Sequence, residues 1–280
     1  MRLSAKPLEE FTENNMYALT YKRAGSLDEA AKFLKDQPEA KLLAGGQTLI
    51  PTLKARLAQP SHLIDLGRVK ELKGISEKGG VLSIGAMSTH YEVANSPVVQ
   101  KAIAGLAHLV GLVGDLQVRN LGTIGGSVAN NDPAADYPAG VLALNATIKT
   151  NRREIAADDF LQGMFTTALE EGEIITRVDF PVPKRGAYSK FEHPASGYAM
   201  TGVFIAETAK GVRVGVTGAG ASGAFRWTEA EAALAKDFSP KAIAGLAIDP
   251  GICIADLHAP AEYRAHLVGV MAKRALEQML

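Results

Sequence analysis

The sequence predicts an α+β protein of about two domains. Three observations lead to this class. Helix-like and strand-like stretches alternate near the amino terminus, short strand-like runs fill the middle, and the carboxy-terminal part combines strands with helices. A length of 280 residues fits two domains at about 150 residues each. With 47% hydrophobic and 21% charged residues, the composition is that of a globular chain.

The first elements are a helix, a strand, two glycines and a second helix, and they follow a polar extension at residues 1–15. Ser26 is a candidate N-cap, and Glu29 follows it at the spacing of a capping box. The short apolar run at 41–44 predicts a strand, and Pro51 suits the first turn of the next helix. This order is typical of α/β layering.

The later elements follow from hydrophobic periodicity and turn residues. The polar stretch between Arg119 and Pro138 is rich in glycine, asparagine and aspartate and predicts a long functional loop. Pro181 and Pro183 mark a junction, which places a domain boundary near 183–186. Strands are predicted at 62–66, 81–85, 146–150, 153–155, 173–181, 189–192, 199–208 and 212–217, and helices at 49–57, 88–94, 97–113, 228–235, 240–247 and 259–279.

Composition excludes several classes of function. Thirty basic residues balance thirty acidic ones, so no nucleic-acid surface is indicated. Cys253 is the single cysteine, which excludes an intramolecular disulfide and an iron–sulfur cluster held by this chain's own thiolates. The six histidines lack metal-site spacings, and no hydrolase or P-loop motif occurs. Without a readable export signal or a transmembrane segment, we expect a cytoplasmic protein.

The first glycine motif, Ala44 to Thr48 (AGGQT), lies between the predicted strand at 41–44 and a helix start. Glycines at such a position let backbone N–H groups turn outward and bind a phosphate, aided by the helix dipole. A tight turn without a ligand gives the same pattern. The motif by itself therefore leaves both interpretations open.

The second glycine motif, Gly122 to Ser127 (GTIGGS), is followed at close range by Asp136. Two glycine motifs on separate elements are suited to holding opposite sides of one diphosphate, with hydroxyls and the Asp136 carboxylate left for ribose or ribityl hydroxyls. Asp136 is equally placed to cap a helix through 138–144. Both roles remain open at this stage.

A third motif, Gly218 to Gly223, matches the G-x-G-x-x-G pattern of dinucleotide-binding folds after a strand-like run. That fingerprint also needs a second parallel strand ending in an acidic residue about 20 positions later. The chain there (FSPKAIAGLAI) is helix-like. We therefore do not expect this motif to bind a dinucleotide.

Four segments carry a family resemblance: AGGQTLIPTLKARLAQPSHLIDL, QVRNLGTIGGSVANNDPAADYPA, EEGEIITRVDFPVP and PAEYRAHL. Together they resemble the FAD-binding medium subunit of molybdenum hydroxylases of the carbon monoxide dehydrogenase and xanthine dehydrogenase type. The likeness spans roughly residues 16–278. It implies a PCMH-type FAD-binding domain over 16–184, with subdomains at about 16–66 and 67–184. A carboxy-terminal domain of antiparallel strands with packed helices would then cover 185–280.

The resemblance implies a set of FAD-binding residues and no catalytic residue or metal ligand on this chain. Ser127 stands where many members carry asparagine, and Thr48 where many carry serine, so side-chain hydrogen bonds at both glycine motifs differ from those relatives. The implied set is Lys41, Leu42, Leu43, Ala44, Gly45, Gly46, Gln47, Thr48, Thr123, Gly125, Gly126, Ser127, Asp136, Ile175, Lys190 and Tyr198.

By the same resemblance, the chain is one subunit of an oxidoreductase complex. A large partner subunit would hold a molybdopterin-type molybdenum cofactor, and a small partner would hold iron–sulfur clusters. Electrons from the clusters would pass through FAD to NAD, a quinone or another acceptor, with the complex arranged as a dimer of heterotrimers. Two alternatives remain: a self-contained flavin reductase of the same fold, and a non-catalytic nucleotide-binding assembly subunit.

Overall fold

The computed structural model describes residues 16–280, so the predicted extension at 1–15 lies outside the described residues. A small parallel sheet, called here the amino-terminal sheet, has the strand order β1-β3-β2. Its elements are β1 (Thr20–Arg23), α1 (Leu27–Asp36), β2 (Lys41–Leu43), α2 (Leu49–Lys54) and β3 (His62–Asp65). Ser26 caps α1 by accepting the Glu29 N–H, as predicted, whereas the Glu29 carboxylate accepts the Gly25 N–H. The predicted α/β layering is confirmed.

The central sheet is antiparallel, with the order β4-β5-β10-β6-β7. Its strands are β4 (Ile75–Lys78), β5 (Val81–Gly85), β6 (Thr147–Thr150), β7 (Glu154–Ala156) and β10 (Ile175–Pro181). Its helices are α3 (His90–Asn95), α4 (Pro97–Ala102), α5 (Ala104–Gly111), α6 (Leu116–Leu121), α7 (Ile124–Asn130), α8 (Tyr137–Ala143) and α9 (Ala157–Phe160). The hairpin β8 (Leu161–Gly163) and β9 (Thr166–Thr167) follows α9.

The carboxy-terminal sheet is antiparallel in the order β11-β12-β13-β14. Its strands are β11 (Arg185–Glu192), β12 (Ala199–Thr208), β13 (Gly211–Thr217) and β14 (Phe225–Arg226), followed by α10 (Thr228–Leu234) and α11 (Ala261–Glu277). Val203, Val216 and Trp227 belong to the core beneath these helices. The predicted α+β class with a carboxy-terminal antiparallel sheet is therefore confirmed. No helix within residues 16–280 combines the length and apolar character needed to cross a membrane.

Several predicted elements have different limits. The helix expected over 97–113 breaks at Ile103, whose φ of −145° and ψ of 76° lie outside the helical region. The break lets α5 turn onto β11, where its apolar side chains are buried. The helix expected at 240–247 is a single 3-10 turn, Pro240–Ile243. The third glycine motif is followed by β14, a strand, and Gly220 forms a bridge with Cys253.

The contact between α5 and β11 depends on a glycine. A methyl group at Gly105 would lie 2.4 Å from the carbonyl oxygen of Gly186, a backbone atom that cannot rotate away. We expect Gly105→Ala to lower the free energy of unfolding by about 1–3 kcal/mol, since overpacking forces a backbone shift. Gly269→Ala is the control, because Gly269 has open space and lies inside α11, where alanine stabilises by up to about 1 kcal/mol. Urea unfolding measures both, and a Gly105→Ala chain as stable as the wild type would contradict this packing.

Candidate cofactor site

The first glycine motif forms the turn between β2 and α2, at the carboxyl edge of the amino-terminal sheet. This edge of a parallel sheet is where α/β proteins place ligands. Gly46 has a φ of +73°, a conformation that glycine adopts without steric cost. A methyl group at Gly45 would lie 2.1 Å from the carbonyl oxygen of Leu121. The motif therefore needs glycine to pack against the end of α6.

The backbone N–H groups of this turn are free. Within residues 16–280, no carbonyl or side chain accepts a hydrogen bond from the N–H groups of Gly45, Gly46, Gln47 or Thr48. The first bond into α2 is the one from the Ile50 N–H to the Gly46 carbonyl, at 3.0 Å. Free N–H groups at a glycine turn bind anions, which supports the phosphate interpretation of this motif over a plain turn.

The sequence predicted a long loop around the second glycine motif. In the structure this motif begins the helix α7 instead. Thr123 is the N-cap of α7, and its hydroxyl accepts the Gly126 N–H at 3.2 Å. The Gly125 N–H donates to the Ala86 carbonyl at 2.9 Å, and the Ile124 N–H donates to the Ser88 carbonyl. The prediction was wrong because the segment 86–88, distant in sequence, supplies acceptors that allow a glycine-rich stretch to start a helix. These N–H groups are consequently occupied.

The structure brings the two glycine motifs together. A methyl group at Gly126 would lie 3.6 Å from the Ala44 side chain, and Gly45 contacts the residue that ends α6. A depression of about 350 Å³ opens beside the first motif. Its lining residues are Gly45, Gly46, Gln47, Ile50, Pro51, Lys54 and Leu121. Three residues of the first motif with free N–H groups therefore line this depression, and the first motif lies close to the second.

Asp136 and Lys190 form a buried ion pair. The Lys190 ammonium lies 3.1 Å from Asp136 Oδ1 and donates to the carbonyls of Leu112 and Gly197, at 2.7 and 2.8 Å. The Tyr188 hydroxyl donates to Asp136 Oδ1 at 2.6 Å. Asp136 occupies the N-cap position of α8, as considered, but its carboxylate makes no capping bond to that helix. Its partners lie on β11, a strand that local sequence does not connect to it.

Burial dominates the electrostatics of this pair. Complete burial raises the pKa of the Asp136 carboxyl, and the Lys190 ammonium and the Tyr188 hydroxyl oppose that rise. The Lys190 side chain is 2% exposed, and its donors are directed at protein oxygens. The pair fastens the carboxy-terminal sheet to the loop that precedes α8. In this arrangement Lys190 points at Asp136 rather than at an open surface.

The other predicted residues occupy different surroundings. Lys41 is exposed on β2, and Leu42 and Leu43 are half-buried beside the first glycine motif. Ile175 is buried at the start of β10 and packs into the core of the central sheet. Tyr198 is 50% exposed before β12, and burial together with the charges of Asp132 and Asp136 raises its pKa. Tyr198 therefore lies near the loop that carries Asp136.

Sequence reasoning missed two buried polar groups, one on His90 and one on Tyr137. His90 Nδ1 and the Tyr137 hydroxyl have no hydrogen-bond partner within the described part of the chain. The two rings are 5.4 Å apart, and a methyl group at Gly122 would lie 2.7 Å from His90 Nε2. Unpaired buried polar groups are uncommon and costly. In sequence, His90 is one of several histidines without a spacing signal, so only the fold identifies it.

His90 gives the chain a pH-dependent stability. Burial, with a smaller effect of the Arg119 charge, lowers the pKa of His90 from 6.5 to about 4. The unfolded chain takes up this proton near pH 6.5 and the folded chain does not, so stability is complete above pH 6.5 and falls between pH 6.5 and 4. Between pH 7 and 4.5 we expect the wild type to lose about 2 kcal/mol more unfolding free energy than His90→Gln. Equal losses in urea unfolding would contradict a neutral, buried His90.

The residues present fit a flavin dinucleotide such as FAD. The free N–H groups of the first glycine motif supply donors for a diphosphate, and the adjoining Ser127 hydroxyl has no partner within residues 16–280. No group of three or more histidine, cysteine or acidic side chains among the described residues is arranged to hold a metal ion. The free N–H groups and the Ser127 hydroxyl are donors of the kind that a nucleotide cofactor needs.

Comparisons with known proteins agree with this fit. The family described as "FAD binding domain in molybdopterin dehydrogenase" matches residues 14–183. The carbon monoxide dehydrogenase medium chain of Hydrogenophaga pseudoflava is 37% identical over 254 residues, 85% of this chain and 88% of that protein. The nicotine 6-hydroxylase medium subunit of Paenarthrobacter nicotinovorans is 34% identical and covers 92% of this chain and 96% of its own. The solved structure of quinoline 2-oxidoreductase from Pseudomonas putida 86 superposes with a TM-score of 0.85 at 30% identity. The match covers 94% of this chain and 97% of that chain.

The fold, the adjoining glycine motifs and these relatives define a flavoprotein subunit of an oxidoreductase. The chain belongs to the family of FAD binding domains in molybdopterin dehydrogenases, with the medium-chain architecture of molybdenum hydroxylases. It is an FAD-binding electron-transfer subunit of that enzyme class, as the resemblance in its sequence predicted.

Proposed function

We propose that FAD binds where the two glycine motifs meet, with its diphosphate on the first motif. The observation that carries this proposal is the row of free N–H groups from Gly45 to Thr48, together with the depression that Gly45, Gly46 and Gln47 line. These groups are pre-oriented by the turn, so binding an anion costs little rearrangement. The proposed contacts are the residues that the resemblance implies, from Lys41 to Tyr198.

The proposed division of the chain follows its sheets. The central sheet ends with β10 at Pro181, and the carboxy-terminal sheet begins with β11 at Arg185. We therefore propose an FAD-binding domain at 16–184, with subdomains at about 16–66 and 67–184, and a second domain at 185–280. The Asp136–Lys190 pair crosses this boundary and joins the two proposed domains.

FAD supplies the electron-transfer chemistry when bound, and the protein supplies binding and orientation. In this proposal the first glycine motif anchors the diphosphate, and Ser127 donates a hydroxyl from the adjoining helix. Asp136, held by Lys190 and Tyr188, gives the neighbouring loop a defined position. Tyr198, half-exposed near that loop, would contact the flavin when FAD is bound.

The proposed partners are a large subunit with a molybdopterin-type molybdenum cofactor and a small subunit with iron–sulfur clusters, in a dimer of heterotrimers. Relatives named as a medium chain and a medium subunit support membership of a complex. Those relatives are named after different substrates, carbon monoxide and nicotine, although their medium chains are similar to this one. We infer that the large partner selects the substrate, and we propose a cytoplasmic location for the complex.

The test is purification of the complex from its native source, followed by an absorbance spectrum and cofactor release. We expect flavin and iron–sulfur absorbance, released FAD and two co-purifying chains. FAD without partner chains would favour a self-contained flavin reductase. Partner chains without FAD, in a protein that stays colourless after incubation with excess FAD, would contradict the proposal and favour an assembly subunit.

A further inference from the structure

The charged residues assigned to the cofactor leave its diphosphate without a nearby cation. Lys190 is buried and paired with Asp136, so these two charges cancel within the protein. Lys41 is exposed on β2 and does not line the depression beside the first glycine motif. All residues of both glycine motifs are uncharged. An anionic diphosphate at this position would then be bound by N–H groups and the Ser127 hydroxyl, with no positive charge beside it.

Lys54 supplies the missing positive charge. Lys54 lines the depression together with Gly45, Gly46 and Gln47. It is the only ionisable residue among the described residues that line it. Lys54 ends α2, the helix that begins directly after the first glycine motif. Within residues 16–280, no acidic side chain pairs with it, which leaves its ammonium available for a ligand.

We propose that Lys54 is an additional cofactor-binding residue whose ammonium pairs with the diphosphate of FAD. This inference rests on the proposed function and extends it by a residue that neither motif contains. A lysine acts on a phosphate as a point charge and adds to the hydrogen bonds from the N–H groups. Because Lys54 is exposed, its contribution is screened by salt.

The proposal predicts that ligands with a diphosphate and ligands without one respond differently to removal of Lys54. FAD and ADP contain a diphosphate, whereas riboflavin carries the same flavin ring without any phosphate. If Lys54 contacts the diphosphate, its removal weakens FAD and ADP and leaves riboflavin unchanged. If its removal only loosens the fold around the site, all three ligands weaken together.

The experiment titrates the full-length chain, freed of flavin, with FAD, ADP and riboflavin at low and high salt. We expect Lys54→Ala to weaken FAD and ADP by about 5- to 10-fold at low salt and by less at high salt. Lys54→Arg, which keeps the charge, is expected to stay within about twofold of the wild type. Lys101→Ala, at an exposed lysine on α4, is the matched control and is expected to change nothing.

Unchanged FAD and ADP affinities in Lys54→Ala would overturn the inference, and so would an equal loss for riboflavin. A wild-type chain that binds ADP but not FAD would contradict the flavin function. In that case a weaker ADP affinity of Lys54→Ala would support the anion site, and an unchanged ADP affinity would contradict it. A wild-type chain that binds neither FAD nor ADP would overturn both proposals.

Discussion

Replacing Gly45 by alanine is expected to weaken FAD binding by about 100-fold or more. The added methyl group would lie 2.1 Å from the Leu121 carbonyl oxygen, so the first glycine motif must move away from the end of α6. This shift misplaces free N–H groups that act on an anion together, and hydrogen bonds to charged groups contribute about 1.5–3 kcal/mol each. Loss of two of them corresponds to at least about 100-fold in affinity.

The measurement is a titration of flavin-free chain with FAD, with urea unfolding as a check that the variant folds. Gly245→Ala is the matched control, because no heavy atom lies within 4 Å of the added methyl group. We expect the control to bind FAD like the wild type. A folded Gly45→Ala chain with wild-type affinity would show that the turn does not bind the cofactor.

Lys190→Met is expected to lower the free energy of unfolding by about 3–5 kcal/mol, the range for breaking a buried ion pair. The substitution leaves the Asp136 carboxylate buried without its cation and removes donors from the Leu112 and Gly197 carbonyls. Adding Asp136→Asn removes the uncompensated charge. The double variant is therefore expected to recover part of the loss.

Lys184→Met is the control for this pair, because Lys184 is 72% exposed in its ion pair with Glu207. Exposed pairs contribute about 0–1 kcal/mol, so we expect a small effect there. Urea unfolding of the wild type, the two single variants and the Lys190→Met/Asp136→Asn double variant gives the comparison. If Lys190→Met costs no more than Lys184→Met, the buried pair does not fasten the two sheets.

Elements with local signals were predicted correctly from the sequence. The cap at Ser26 joins its hydroxyl to the N–H of Glu29, three residues later, so the sequence pattern contains both partners. The strands at 81–85 and 199–208 are marked by runs of mostly apolar residues, and β5 and β12 cover those ranges. The first glycine motif combines a strand end, two glycines and a helix start within a few residues. Its position between β2 and α2 is as predicted.

Elements that depend on distant partners were not predicted. The helix α7 exists because the Ala86 and Ser88 carbonyls accept N–H groups from a glycine-rich stretch that has little helix propensity of its own. The break at Ile103 follows from the packing of α5 on β11, where the Gly105 contact is a backbone one. His90 and Tyr137 meet through the fold alone, since nothing in their spacing connects them.

The sequence by itself determined the family, the α+β class and the cofactor, because paired glycine motifs with their flanking residues are specific local patterns. Only the tertiary structure decided which parts of those motifs have free donors and which charges cancel. In the second motif the N–H groups of Ile124, Gly125 and Gly126 are occupied, Asp136 is paired with Lys190, and Lys54 lines the depression. The physical reason is that hydrogen bonds and ion pairs depend on distances in space, which residues far apart in the chain acquire only on folding.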